Sequence, residues 1–239
     1  PLLRHDSFPR VFKPRSSEDH AQLAMLLASS SQTGALAGPP CRRHEGAIEL
    51  QIHESAVNNL SATFLAGNTY SETELRGLVD RLTTDRVEPI EVPEDDLLQL
   101  VFDDSRPLSV RLQDSQIVVT IRAQYFIRGR TRYRAMNMIL QYGLADVNGQ
   151  PHLQQTESPE VVPRDFEERG PRRLAARESA ARRFITKMLE RQLPKEIPLN
   201  DLRVAPSDET LGELVVTQLS TDQGWLGLSV DQASTSISH

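Results

Sequence analysis

The sequence predicts an α+β fold, a curved antiparallel sheet with two short N-terminal helices and one long helix packed on it. The first observation is a segment from Pro107 to Asn148 that contains three stretches of alternating apolar and polar residues. Alternation with a period of two is typical of strands with one buried face and one solvated face. The second observation is that helical patterns lie before and after this segment instead of alternating with strands, which favours α+β over α/β.

The central segment predicts three strands joined by tight turns. The alternating stretches are residues 108–112, 117–127 and 136–144. Three apolar residues interrupt the alternation: Val118, Phe126 and Ile139. The dipeptide Asn148-Gly149 favours a type I′ turn, so a fourth strand is predicted over residues 151–156, beside the third.

Two short helices are predicted upstream, after a short strand over residues 48–52. Apolar residues recur with helical spacing in the first helix at Val57, Leu60, Phe64 and Leu65. Gly67 is well placed to end this helix in a left-handed conformation. The second helix begins at Ser71, because Ser71-Glu72-Thr73-Glu74 matches a capping box, in which the first and last side chains bond each other's backbone amides.

The longest helix is predicted from Pro171 to about Leu193, where Pro194 stops it. A loop over residues 157–170 precedes this helix. A C-terminal β-hairpin follows it, with strands over residues 211–219 and 225–230.

The chain of 239 residues predicts one folded domain over residues 47–231, large enough to bury a core without disulfides. Residues 1–46 are predicted to be an irregular N-terminal arm or linker with a short helix over residues 17–29. Residues 232–239 are polar and predicted to fray. The single cysteine, Cys41, excludes an intrachain disulfide.

The charge is distributed unevenly along the chain. The net charge of −6 argues against bulk attraction to nucleic acid or anionic lipid. Residues 120–191, however, contain 14 basic and 8 acidic residues, whereas the remainder contains 13 basic and 25 acidic residues. This asymmetry predicts either internal pairing, an electropositive face or ordinary solvated faces. No apolar run approaches the roughly 18 residues of a membrane helix, so no transmembrane segment is predicted.

The sequence contains no motif that predicts catalysis, and no cofactor or metal is expected. Neither a Gly-x-Ser-x-Gly elbow nor a glycine-rich phosphate loop occurs. Cys41 and His44 have ligand-like spacing but lack a second pair. His53-Glu54 is interpreted as the junction between a strand and a helix. Asp103 and Asp104 are interpreted as solvated loop charges.

A long sheet packed against an amphipathic helix can enclose an elongated apolar ligand, and methionines are adaptable linings for such a groove. The competing interpretation is that the same side chains fill the core. The candidate groove residues are Met136, Met138, Met188, Tyr142 and Phe184.

Arginines and aromatic residues are interleaved around the turn between the second and third central strands. The aromatic residues are Tyr125, Phe126 and Tyr133. Such a surface can bind single-stranded nucleic acid, lipid headgroups or an acidic partner. Nucleic acid is the less favoured partner, because only 5% of the chain is aromatic and no RNA-recognition motif occurs. The candidate residues for binding an anionic partner are Arg128, Arg130, Arg132, Arg134, Arg172 and Arg173.

Three segments, residues 53–60, 116–126 and 218–226, resemble an uncharacterised family of bacterial secreted or envelope proteins. The resemblance covers about residues 47–230 and implies an envelope or secreted location, without an established activity. The layout of the elements also resembles the tubular lipid-binding superfamily.

These observations predict a non-enzymatic envelope protein that binds a hydrophobic or lipid-like ligand between the sheet and the long helix. The alternative is a structural or interaction module that binds an anionic partner through its arginine-rich surface. The expected partner is therefore a hydrophobic ligand or a protein. The sequence leaves the oligomeric state and the compartment open.

Overall fold

The computed structural model describes residues 12–16, 21–28, 32, 34–40, 48–82, 98–113, 115–148, 150–164, 174–199 and 214–232. Within these ranges the chain is mostly antiparallel sheet with three helices, which confirms the α+β class. The curvature of the sheet stays a prediction.

Nine strands form the large sheet. In chain order they are β4 (Thr69–Ser71), β5 (Leu98–Phe102), β6 (Leu108–Gln113), β7 (Gln116–Arg128), β8 (Thr131–Tyr133), β9 (Met136–Val147), β10 (Gln150–Gln155), β11 (Glu160–Pro163) and β12 (Glu196–Pro198). The order across the sheet is β12-β10-β9-β7-β5-β4, β11 pairs with β9, and β6 and β8 pair with β7. The central strands and the fourth strand are therefore confirmed. The predicted loop over residues 157–170 is wrong at β11, which pairs with the start of β9.

Two smaller sheets accompany the large one. The first is the hairpin of β1 (Phe12–Ser16) and β2 (Ala21–Met25). The second contains β3 (Ile48–His53), β13 (Leu214–Asp222) and β14 (Trp225–Gln232) in the order β13-β14-β3. The helix predicted over residues 17–29 is wrong at β2, because those residues pair with β1. The C-terminal hairpin is confirmed, and its turn places Gln223 and Gly224 at positive φ, as a type I′ turn requires.

The three helices are α1 (Glu54–Leu65), α2 (Glu72–Leu82) and α3 (Ala176–Gln192). Gly67 follows α1 with a φ of 68°, as predicted. The capping box of α2 is present: the Glu74 N–H donates to Ser71 Oγ at 3.2 Å, and the Ser71 N–H donates to the Glu74 carboxylate at 2.7 Å. The predicted start of the long helix at Pro171 is wrong, because Leu174 and Ala175 are not helical and α3 begins at Ala176. Residues 171–173 lie outside the described ranges.

The main core lies between the large sheet and α3. Alternate residues of β9 from Met136 to Tyr142 are buried against the helix residues Ile185 and Met188, as the alternation predicts. A smaller core contains Leu199, Val216 and Val230 and lies against the three-stranded sheet.

A β-bulge at Gln124 reverses the orientation of side chains along β7. The partners of Phe102 and Val101 in β5 are Ala123 and Tyr125, so Gln124 is an extra residue in β7. Ala123 and Phe126 are consequently both fully buried, although they lie three positions apart and would point to opposite faces of a regular strand. The bulge explains why Phe126 interrupts the alternation in the sequence, because a bulge moves every later side chain to the opposite face.

Side chains of α1 complete the edge of β6. Asn58 donates its amide to the carbonyl of Val110 at 3.2 Å and accepts from the N–H of the same residue at 2.6 Å. One turn earlier, the Glu54 carboxylate accepts from the Leu112 N–H at 2.8 Å. One turn later, Ser61 donates to the Leu108 carbonyl at 2.9 Å.

The spacing of these contacts follows from helix and strand geometry. Residues 54, 58 and 61 share one face of a helix and span roughly 10 Å along its axis. Residues 112, 110 and 108 present their outward main-chain groups over roughly 13 Å of strand. The different lengths of the Glu, Asn and Ser side chains compensate for the difference between the helix and strand spacings. The helix therefore occupies an edge that would otherwise be open to another strand.

The Asn58→Ala substitution is expected to lower the free energy of unfolding by about 2–3 kcal/mol, because it leaves the N–H and the carbonyl of Val110 without partners. Urea unfolding followed by circular dichroism measures this loss. The control is Asn68→Ala, which removes one exposed side-chain bond to the Phe64 carbonyl and should cost less than about 1 kcal/mol. Equal losses in the two variants would contradict the role of Asn58.

Candidate functional site

The hairpin of β7 and β8 places four of the predicted arginines, Arg128, Arg130, Arg132 and Arg134, at one end of the large sheet. Arg128 lies opposite Thr131, and Ile127 lies opposite Arg132. Gly129 makes the turn with a φ of 55°. Because strand neighbours point to opposite faces, Arg128 lies on the α3 side of the sheet and Arg132 on the other side. The structure thus divides the predicted arginine cluster between two faces.

The guanidinium of Arg132 stacks on an aromatic ring. Its Cζ lies 3.5 Å from the centroid of the Tyr125 ring, a cation–π contact that restrains the exposed side chain. The backbone carbonyl of Arg132 accepts a 2.7 Å hydrogen bond from Nη2 of Arg177. This bond ties the first turn of α3 to the hairpin.

On the α3 side of the sheet, arginine side chains also contact aromatic rings. Tyr133 and Phe184 make an edge-to-face contact with centroids 4.9 Å apart. Arg128 lies over the Phe184 ring and Arg177 over the Tyr133 ring, each at 5.6 Å from Cζ to centroid. Phe126, which was predicted to be part of this surface, is buried in the core instead.

Arg134 is highly exposed. Its side chain is 88% exposed, and its Nη1 lies 3.9 Å from the carboxylate of Glu178. Glu178 also accepts a 3.0 Å hydrogen bond from the Ala175 N–H at the start of α3. Among the described residues, no carboxylate lies within ion-pair distance of Arg130 or Arg132.

We use the name arginine surface for the five residues Arg128, Arg130, Arg132, Arg134 and Arg177, which surround the β7–β8 hairpin on both faces of the sheet. The candidates Arg172 and Arg173 lie outside the described residues. Arg177 was not one of the six residues named for the predicted site, because the sequence does not show that the start of α3 lies beside the hairpin. The available signal was its place among the arginines of the predicted long helix.

The candidate groove residues lie in and beside the main core. Four of the five are buried: Met136, Met138, Met188 and Tyr142. The Tyr142 phenol donates to the Pro194 carbonyl at 3.2 Å, and burial raises the pKa of this phenol. Phe184 is partly buried and also contributes to the arginine surface. These positions fit the core-filling interpretation, and the ligand hypothesis stays a prediction.

Asp103 was interpreted as a solvated charge, but it is buried. Its carboxylate accepts from the backbone N–H groups of Ser105 and Arg106 at 3.0 and 2.9 Å, and it pairs with the Arg164 guanidinium at 2.6 Å. Burial by itself would raise the pKa of Asp103. The hydrogen bonds from Arg106 and Ser105, together with Arg164, outweigh burial and lower this pKa to about 2. The network fixes the loop before β6 against the end of β11.

A second buried carboxylate joins two helices. Glu72, at the start of α2, accepts from the Gln192 side-chain amide at 2.9 Å and lies 3.6 Å from the Arg191 guanidinium. These partners lie at the end of α3, so the contact has a structural role.

Within the described ranges, no three His, Cys, Asp or Glu side chains come together in a way that could hold a metal ion. Cys41 and His44 lie outside these ranges. His53 caps α1, because its Nδ1 accepts from the Ser55 N–H at 3.1 Å. None of the described helices is long and apolar enough to cross a bilayer.

Comparison with known proteins does not assign the chain to a family. No protein-family model matches it, and no curated protein matches it significantly. The resemblance to bacterial envelope proteins therefore stays a prediction.

The Met138→Ala substitution is expected to lower the free energy of unfolding by about 2–5 kcal/mol, because it leaves a cavity in a packed core. The matched control is Met25→Ala on β2, whose side chain is exposed and should cost far less. Urea unfolding measures the loss in free energy of unfolding for both variants. Similar small losses in both would favour a groove, as would an acyl lipid that copurifies reproducibly in native mass spectrometry.

The ion-pair network of Asp103 is expected to make stability fall in acid. The folded-state pKa of about 2 lies below the ordinary value of 3.8, so the stabilisation is complete above about pH 4 and is lost as the pH falls towards 2. The loss is about 2 kcal/mol. Urea unfolding between pH 5 and pH 2 should show Asp103→Asn and the wild type converging in stability. The control Asp104→Asn removes an exposed neighbouring charge, and convergence of the same size there would contradict the assignment.

Proposed function

We propose that this protein is a binding module that engages an anionic partner through the arginine surface. The observation that carries the proposal is that Arg132 is held against Tyr125 while no described carboxylate pairs with it or with Arg130. Burial of Arg130 and Arg132, or pairing of both with carboxylates, would instead indicate a structural role. The exposed Arg132 guanidinium, restrained by its contact with the Tyr125 ring, supports recognition.

The chemistry of arginine supports a partner with carboxylate or phosphate groups. A guanidinium presents five N–H donors in a planar fork, which matches two oxygens of such an anion. Stacking on Tyr125 uses the face of the Arg132 guanidinium and leaves its edge, where the donors lie, directed sideways. Because the ring already limits the side chain's freedom, binding costs less conformational entropy than it would for a free side chain.

The distribution of charge supports a short acidic protein segment over a polyanion. The whole chain carries −6, and residues outside 120–191 carry −12, so a long nucleic acid or an anionic membrane would also meet repulsive surfaces. Screening confines the attraction of the arginine surface to about 8–10 Å in physiological salt. A short segment can remain within that range.

The aromatic rings also favour an acidic protein segment over single-stranded nucleic acid. Single-stranded nucleic acid binds through bases stacked on open ring faces. Arg132 covers a face of Tyr125, and Tyr133 packs against Phe184 with Arg177 above it. These rings support the arginines, so they are poorly placed as a platform for bases.

The double substitution Arg130→Glu with Arg132→Glu is expected to weaken binding of a fluorescein-labelled peptide of about ten Asp and Glu residues by at least about 10-fold. Each reversal removes a charge-assisted hydrogen bond and adds repulsion. Fluorescence anisotropy measures the dissociation constant, and wild-type affinity should fall as NaCl rises from about 50 to 300 mM. Arg132→Lys keeps the charge but loses the fork and the planar stack, so an intermediate loss is expected.

The matched control is Arg111→Glu, which reverses an exposed arginine on β6. It changes the net charge by the same amount per residue and should leave peptide binding almost unchanged. An oligonucleotide of about ten thymidines and phosphatidylglycerol vesicles serve as competing probes. The proposal fails if the double variant binds the peptide like the wild type, if Arg111→Glu weakens binding equally, or if only the oligonucleotide or the vesicles bind.

A further inference from the structure

The strand β3 has one paired edge and one edge on which no described strand lies. Its only partner within the described chain is β14. Ile48 and Leu50 on this strand are 43% and 45% exposed. This arrangement contrasts with the edge of β6, where α1 side chains bond the outward main-chain groups. An open edge strand with exposed apolar side chains is a template for a further strand.

The hydrogen bonds define which groups of β3 face the open edge. The Glu54 N–H donates to the Gly224 carbonyl at 2.8 Å, one step beyond the pairing of His53 with Trp225. Hydrogen-bonded positions alternate along an antiparallel pair, so the main chain of Ile48, Leu50 and Ile52 bonds β14. The N–H and carbonyl groups of Glu49 and Gln51 therefore point away from β14.

The exposed side chains continue an apolar face that is already partly buried. Ile48 lies opposite Val230, and Leu50 lies opposite Leu228, on the face that packs over the smaller core. A strand added beside β3 would extend this face and cover both exposed residues.

We infer that the added strand is β3 of a second copy of this chain, related by a twofold axis at Leu50. In that register Ile48 lies opposite the partner's Ile52, and Leu50 lies opposite itself. Glu49 lies opposite the partner's Gln51, and both residues direct their main-chain groups towards the new neighbour. The result is a six-stranded sheet across two copies, with a self-complementary interface that closes after two subunits.

The side chains favour this register over registers shifted by one or two residues. A shift by one residue would place apolar side chains opposite polar ones. A twofold axis at Glu49 would place two carboxylates directly opposite each other, which is destabilising. An axis at Gln51 would place Ile48 opposite Glu54, where α1 begins. With the axis at Leu50, the Glu49 carboxylate faces the side-chain amide of the partner's Gln51. Within one chain, the same carboxylate already accepts a hydrogen bond from the Gln51 amide.

Sedimentation equilibrium of the full chain between about 1 and 100 µM tests the pairing. A particle with twice the chain mass of 26.8 kDa is expected. Leu50→Lys places a charge in the interface and should raise the dissociation constant of the dimer at least about 10-fold. Gln51→Pro should also raise this dissociation constant, because it removes an N–H that bonds no described strand of the single chain. The control is Val147→Lys, an exposed apolar position at the end of β9.

A disulfide tests the register. In a Cys41→Ser background, Leu50→Cys should form an intermolecular disulfide under mild oxidation, because residues opposite each other at a non-hydrogen-bonded position have Cα atoms about 4.5 Å apart. Val147→Cys should not. Monomers throughout the concentration range, or a dimer that survives folded Leu50→Lys and Gln51→Pro variants, would overturn the inference. The pairing does not depend on the arginine surface, so each proposal can fail without the other.

Discussion

The edge of β6 is the constraint on which the arrangement of the chain depends. Leu112 donates its N–H to Glu54 and accepts at its carbonyl from the Gly224 N–H at 3.1 Å. One strand position therefore joins the large sheet, the start of α1 and the turn of the C-terminal hairpin. Since β3 runs directly into α1 and pairs with β14, satisfying this edge also determines where the three-stranded sheet lies beside the large one. Asn58 secures the same edge one turn further along α1.

The bulge at Gln124 has a comparable effect on the candidate site. Without the extra residue, Phe126 would point away from α3 and Tyr125 would point towards it. With it, Phe126 enters the core and Arg128 reaches Phe184. Tyr125 is then left on the opposite face as the support for Arg132. A single inserted residue thus decides which aromatic side chain stabilises the core and which one orients a guanidinium.

The sequence predicts the features that depend on neighbours along the chain. The capping box at Ser71, the left-handed Gly67 and the alternation from Met136 to Tyr142 are of this kind, and each is confirmed. Predictions fail where a distant partner decides the outcome. Residues 160–163 become a strand because β9 offers an edge, and one partner of the buried Asp103 is Arg164, 61 positions later. Arg177 joins the arginine surface for the same reason.

The two surfaces differ in physical character, and this difference bears on how they would act together. The arginine surface attracts by charge, so its strength varies with salt, whereas the β3 edge offers main-chain hydrogen bonds and apolar area, which salt affects little. A dimer formed through β3 would carry two arginine surfaces. A partner with two acidic segments could then bind both, and the second contact would form at the high effective concentration of a tethered ligand. Moderate affinity at each surface would then be sufficient for stable binding, and pairing through β3 would control it.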